Sequence, residues 1–199
     1  MIQAIVFDLG GVLFTNGTTL FAKHIAATHK KDQEEVYKLL NYSDFGNAYR
    51  EGKITGEEFY NSLKKELDLD DDIHELKQKW LEVYQVIEGT KKIIEELRKK
   101  YKVYFLSDNV KERVEYAHRR YGFLNWFDGG VFSHEVGVRK PNLKIYETAI
   151  VQIGLKPEEI VFIDDKEINL PPAEKIGMKT ILYKNPEQLK KELHKMKLL

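Results

Sequence analysis

The polar and apolar positions divide the chain into three stretches. The first is Gln3 to Asp8, where Ala4-Ile5-Val6-Phe7 runs apolar without alternation and stops on a carboxylate. An unalternating run fits a strand covered on both faces of a sheet. Gly10 and Gly11 follow at once, and the chain continues through Val12-Leu13-Phe14. From Thr18 to Gln85 the apolar positions recur at helical spacing. Leu20, Phe21, Ile25 and Thr28 form one face, with His24 among them; Val36, Leu39 and Leu40 form a second. Thr55 followed by Glu58 three residues on is a capping box, and predicts a helix through Phe59, Leu63 and Leu67. Ile73, Leu76, Trp80, Leu81 and Tyr84 predict a fourth helix. A helical block of about seventy residues is longer than an ordinary crossover, so it reads as an inserted subdomain.

After Gly89 strands and helices alternate. Helices are expected around Ile93–Leu97, Val110–Arg120, Leu143–Ile153 and Ala173–Ile176, with a last one after Pro186. Strands are expected at Lys102–Leu106, Gly130–Phe132, Glu159–Ile163 and Thr180–Tyr183. Such alternation predicts an α/β fold: a Rossmann-like parallel sheet with helices on both faces, here with an all-helical insertion. The expected division is a core of residues 1–14 and 87–199 and a helical subdomain of residues 15–86.

Candidate chemistry gathers where the strands finish. Asp8 ends the first strand, Ser107-Asp108 the second, and Asp164-Asp165 the fourth; Lys140 precedes Pro141 at a helix start. Ligands of open α/β sheets collect outside the carboxyl ends of the strands. Each residue also has a structural reading, as a turn or helix cap. Lys140 fits that reading least, because a positive charge at a helix start opposes the helix dipole. Adjacent carboxylates repel unless a cation lies near them. Three carboxylates at one edge suit a hard divalent cation, Mg2+ above all. A neighbouring lysine and hydroxyl would then hold a phosphate.

Composition narrows the classes. The chain has 199 residues, 42% hydrophobic and 32% charged, which describes a globular chain with a real core. Its formal net charge is zero, so nothing points to nucleic acid or a membrane surface. There is no cysteine, which excludes disulfides, thiolate metal sites and a cysteine nucleophile. No apolar run approaches the ~18 residues of a membrane span and no signal peptide is evident, so a cytoplasmic protein is expected. The acidic run Asp68 to Asp72 fails as a calcium loop, with Ile73 where glycine belongs and Lys79 where glutamate belongs. The aromatic residues Tyr37, Phe45, Tyr49, Phe59, Tyr60, Trp80 and Tyr84 read as core of the helical block.

Taken in order, these strand-end residues resemble the four motifs of the haloacid dehalogenase superfamily, whose members are mostly phosphatases. Phe7-Asp8-Leu9-Gly10-Gly11-Val12 is similar to the first motif, Phe105-Leu106-Ser107-Asp108 to the second, Val138-Arg139-Lys140-Pro141 to the third, and Phe162-Ile163-Asp164-Asp165 to the fourth. The helical block looks like the family's first-position cap. Asn169-Leu170-Pro171-Pro172-Ala173 is similar to the phosphatase domain of epoxide hydrolases, and the Gly-Gly and Lys-Pro pairs to sugar-phosphate phosphatases.

The resemblance implies an Mg2+-dependent phosphatase of small phosphorylated metabolites. Asp8 would be the nucleophile, and Lys140 would offset charge beside it. Ser107, Asp108 and Lys140 would bind phosphate. Asp8, the carbonyl of Gly10, Asp164 and Asp165 would hold the metal. Most such phosphatases carry an acid–base aspartate two residues after the nucleophile, where this chain has Gly10. General acid–base help is worth ~10^2–10^4 in rate. A water or a cap residue takes the role (Asn16, His24 and His29 lie in the right segment), or the leaving group needs little help, or turnover is lost. The alternatives are a non-catalytic phosphate- and metal-binding protein and a metal-free 2-haloacid dehalogenase.

Overall fold

The computed structural model describes all 199 residues. Five strands, β1 (Ala4–Phe7), β2 (Lys102–Ser107), β3 (Gly129–Phe132), β4 (Ile160–Asp164) and β5 (Lys179–Leu182), form one sheet in the order β3-β2-β1-β4-β5. Every pairing is parallel. β1 therefore lies at the centre, and all four of its residues are fully buried. Its lack of alternation has a direct cause: successive side chains enter two different cores. Ile5 and Phe7 join Val103, Phe105, Val161 and Ile163 under the helices α6 (Glu88–Leu97), α7 (Lys111–Tyr121) and α11 (Pro186–Lys195). Ala4 and Val6 join Leu106, Val131, Ile160 and Phe162 under α9 (Leu143–Ile153) and α10 (Leu170–Lys175).

Between β1 and α6 stand five helices: α1 (Gly17–His29), α2 (Gln33–Tyr42), α3 (Asp44–Arg50), α4 (Gly56–Leu67) and α5 (Ile73–Glu82). They share a separate apolar cluster around Phe21, Ile25, Phe59, Leu63 and Trp80. Phe21 stacks on Trp80 with centroids 5.1 Å apart, and Tyr49 on Phe59 at 4.4 Å. The capping box predicted at Thr55 and Glu58 is present at the start of α4. The short helices α3 and α8 (Ser133–Val136) have no clear sequence pattern. α3 contains Gly46 and Asn47, poor helix formers, and is set by Ser43 at its start and by burial of Tyr49 and Arg50. Of the aromatic stripe, Tyr49, Phe59, Tyr60 and Trp80 are buried in this cluster, and Tyr37 and Phe45 pack at its edge. Tyr84 departs from that expectation: α5 ends at Glu82, and Tyr84 packs into the core beneath the sheet, stacked on Phe14 at 4.3 Å.

The two connections into the helical block are fastened to each other. Thr15 donates its backbone N–H to Gln85 O at 2.8 Å, and Ile87 donates to Leu13 O at 2.8 Å. The Thr15 hydroxyl donates to Val83 O and accepts from Gln85 N. No helix is long and apolar enough to cross a membrane.

Candidate active site

Register sets the site. Phe7 pairs with Phe105 on one side and Ile163 on the other, so the next residue of each strand brings Asp8 level with Leu106 and Asp164. Asp8 still donates its backbone N–H to Ile163 O at 2.8 Å, which fixes its side chain at the sheet edge. The chain then folds back, and Leu9 O accepts from the N–H groups of Leu13 and Phe14 at 2.9 and 2.8 Å. Gly11 sits in this turn at φ +88°, which favours glycine. A Cβ there would lie 2.2 Å from Oδ2 of Asp165. The missing side chain thus lets the Asp165 carboxylate approach the backbone.

Lys140 comes from the loop before α9 and is 4% exposed. Its Nζ meets Asp8 Oδ1 at 2.9 Å, Asp164 Oδ2 at 2.6 Å and Leu106 O at 3.0 Å. These three acceptors use the three donors of an ammonium group. Burial works against its charge, but the carboxylates of Asp164 and Asp8 outweigh that and hold it well above the ordinary lysine range. Asp164 is fully buried and also accepts from Asn169 Nδ2 at 2.9 and 3.0 Å and from Lys166 N at 2.8 Å. It therefore positions Lys140 as much as it offers a ligand. Burial pushes the Asp8 carboxyl up to about 7; Lys140 opposes the shift, and Asp164 and Asp165 add to it. Asp165 is raised too, by burial first and Asp164 second.

Two carboxylates thus pair with one buried ammonium, and Asp165 adds a third beside them. Ligand oxygens of Asp8, Asp164 and Asp165 lie within 4.8 Å of one another. Oδ1 of Asp165 is buried without a hydrogen-bond partner. An orphaned carboxylate oxygen in an all-oxygen, net-negative cluster fits a hard divalent cation such as Mg2+.

The cavity above Asp8 is lined by the sheet edge and the helical block together. Asp8, Gly10, Asp108, Asn109, Lys140 and Asn169 face Asn16, Thr18, Asn41 and Arg50 across it. Ser107, at the end of β2, is buried and does not line this cavity. The Asp108 carboxylate accepts from Lys140 N at 2.9 Å and pairs with Arg139 Nε at 3.4 Å. Arg139 reaches across to Asn41 O and Asn47 Oδ1, both at 2.7 Å. Of the three residues proposed to replace the absent acid, only Asn16 lines the cavity, and its Oδ1 caps α1 by accepting from Thr19 N. His29 pairs with Asp71 at 3.2 Å, and neither it nor His24 reaches the cavity.

Several lining residues escaped the sequence pattern as site residues, Tyr84, Arg50 and Arg113 among them. The hydroxyl of Tyr84 lies 4.0 Å from where a Gly10 Cβ would stand. That oxygen accepts from Asn109 Nδ2 at 3.1 Å. Arg113 carried a usable signal. It stands three residues after Val110 and four before Ala117, so it shares their apolar helix face. Arg50 carried none.

A family model described as haloacid dehalogenase-like hydrolase matches residues 2–177. The chain is 26% identical to D-ribitol-5-phosphate phosphatase of Bacteroides thetaiotaomicron, over 97% of each chain. It is 29% identical to glyceraldehyde 3-phosphate phosphatase of Methanothermobacter thermautotrophicus, over 92% of this chain and 85% of that one. In fold it matches a haloacid dehalogenase family enzyme of Bacteroides thetaiotaomicron, solved with magnesium and inorganic phosphate. The TM-score is 0.77 at 22% identity, over 93% of this chain and 96% of that one. The parallel sheet, the order of the strand-end residues and a family match over nearly the whole length agree: the chain belongs to the haloacid dehalogenase-like hydrolases.

Proposed function

We propose that this hydrolase is an Mg2+-dependent phosphatase of small phosphorylated metabolites, sugar phosphates foremost, acting through an aspartyl-phosphate on Asp8. The observation that carries the reading is a buried aspartate at the end of the central strand, gripped through one oxygen by Lys140, beside the orphaned oxygen of Asp165. The phosphatases among its relatives support the same class.

Lys140 holds Oδ1 of Asp8, so Oδ2 is the oxygen left to attack phosphorus. The bond from phosphorus to the leaving oxygen breaks as the Asp8–phosphorus bond forms. The amide of Asp108, in the cavity wall, binds a phosphoryl oxygen, with Ser107 buried just before it in the chain, while Asp164 keeps the Lys140 ammonium aligned. Mg2+, held by Asp8, Asp165, Asp164 and the carbonyl of Gly10, would offset the repulsion between an anionic nucleophile and an anionic substrate. Water then cleaves the acyl phosphate and restores Asp8. Gly10 has no proton to give the leaving group. The hydroxyl of Tyr84 stands beside that position and, with its oxygen accepting from Asn109, keeps its own proton free to donate. Residues 15–86 select the substrate from above the core. The free space over Asp8 is small, about 40 Å³, and is walled by the helical block as well as by the sheet edge.

Phosphate release from an ester panel with Mg2+ tests the reading. Activity is expected to vanish in excess chelator, to return with Mg2+, and to fall to background in Asp8→Asn. Turnover surviving Asp8→Asn refutes the nucleophile assignment; turnover in chelator points to a metal-free dehalogenase-type site. A phosphate-binding protein without turnover is the second reading, favoured by Gly10 alone, and it predicts metal-dependent binding with no release on any ester.

A further inference from the structure

The cavity holds more positive charge than one phosphoryl group and its metal require. Lys140 is answered by Asp8 and Asp164, and Arg139 by Asp108. Arg50 and Arg113 have no carboxylate. Arg50 is 3% exposed and reaches only neutral acceptors, Thr18 Oγ1 at 3.0 Å and Leu40 O. Arg113 is 4% exposed, and its one polar contact is Asn109 Oδ1 at 3.5 Å from Nη1. The adjacent Glu112 is engaged elsewhere, accepting from Tyr49 Oη at 2.5 Å and Lys77 Nζ at 2.7 Å.

Arg113 lies 4.4 Å from the centre of the Trp80 ring and 5.3 Å from that of Tyr84. Aromatic rings satisfy the face of a guanidinium but not the N–H groups at its edge. Nε and Nη2 of Arg113 are buried and have no acceptor. Buried cations are ordinarily paired. Burial first, then the neighbouring Arg139 and Arg113, lower the pKa of Arg50 to about 9. The Tyr84 side chain stands beside both Gly10 and Arg113, its hydroxyl 4.0 Å from a Gly10 Cβ position and its ring centre 5.3 Å from the Arg113 guanidinium, and Asp8 and Arg113 line the same cavity.

We propose that Arg113, with Arg50, forms a second anion subsite, and that the phosphate ester cleaved at Asp8 carries a carboxylate or a second phosphate on its leaving group. This rests on the phosphatase reading and names the substrate class within it.

Matched pairs of esters test it: glycerol 3-phosphate against 3-phosphoglycerate, and a sugar monophosphate against the bisphosphate of the same sugar. With Mg2+, the partner with the second anion is expected to have a kcat/KM about 10–100-fold higher, the worth of a charge-assisted hydrogen bond. The two pairs tell carboxylate from phosphate. R113Q is expected to bring the preference close to unity, and R50Q to reduce it. The preference is a ratio within one preparation, so a loss of folded protein leaves it unmoved; R113K, which keeps the charge, should retain part of it. A wild-type preference at or below unity, or one that survives R113Q, overturns the proposal. If no ester is turned over, the phosphatase reading fails and the subsite is read by calorimetry on the unmodified protein and R113Q. Tighter binding of 3-phosphoglycerate than of glycerol 3-phosphate, lost in R113Q, then supports it, and equal binding overturns it.

Discussion

A Cβ at position 11 would lie 2.2 Å from Oδ2 of Asp165, whereas one at position 10 would meet Tyr84 at 3.9 Å, ordinary contact. The adjacent glycines therefore answer to different demands. Gly11 is required by its left-handed backbone and by the carboxylate pressed against it. Gly11→Ala should displace Asp165 and raise the Mg2+ concentration needed for half-maximal activity by ~10–100-fold, the scale of losing support at a metal ligand; a metal titration of phosphate release checks it. Gly10 has space for a side chain and no positive φ. Gly10→Asp should fold and raise kcat, by up to ~10^2 if acid help is what the site lacks. An unchanged kcat would mean that Tyr84 or the substrate already supplies the proton. Asp8, Lys140, Asp164 and Asp165 could be picked out because chemistry-bearing residues at strand ends stand out against apolar runs. Arg113 could be, from its place on an apolar helix face, but Tyr84 and Arg50 could not, since their neighbours in the cavity come from parts of the chain far away in sequence.

At the scale of elements, β1 and the helices answer to burial. The unbroken run Ala4–Phe7 is legible because a strand between two cores has no polar face to show. α4 is legible from its cap and its apolar face together. α3 is not, because Gly46 and Asn47 oppose a helix and only packing enforces one. Gly46 fits there for lack of space: a Cβ would lie 2.7 Å from Leu39 O. Trp80 ties this block together, with Phe21, Tyr49, Phe59 and Tyr60 all around its ring. Trp80→Ala should cost about 3–5 kcal/mol of stability, as large buried truncations do; denaturant unfolding at constant m-value measures it.

At the scale of the whole molecule, Arg139 joins the sheet edge to the helical block. It bonds Asp108 on one side and Asn41 and Asn47 on the other. Arg139→Ala should loosen the block over the cavity, with faster hydrogen exchange in residues 33–50 and unchanged protection of β1 and β2. Equal exchange in both regions would show that the fastened connections at Thr15 and Gln85 hold the block unaided.

The chain by itself determined the layer order, the parallel sheet and the identity of the strand-end carboxylates and lysine. Those features are written in local periodicity and in polar residues that interrupt it. Only the tertiary structure decided which of them touch. Register brings Asp8 beside Asp164, and Lys140 arrives between them from a loop more than a hundred residues after Asp8 in the sequence. Tertiary packing also decided that Arg50 and Arg113 line the same cavity as Asp8, because it set both guanidinium groups, from helices far apart in the sequence, over the one Trp80 ring.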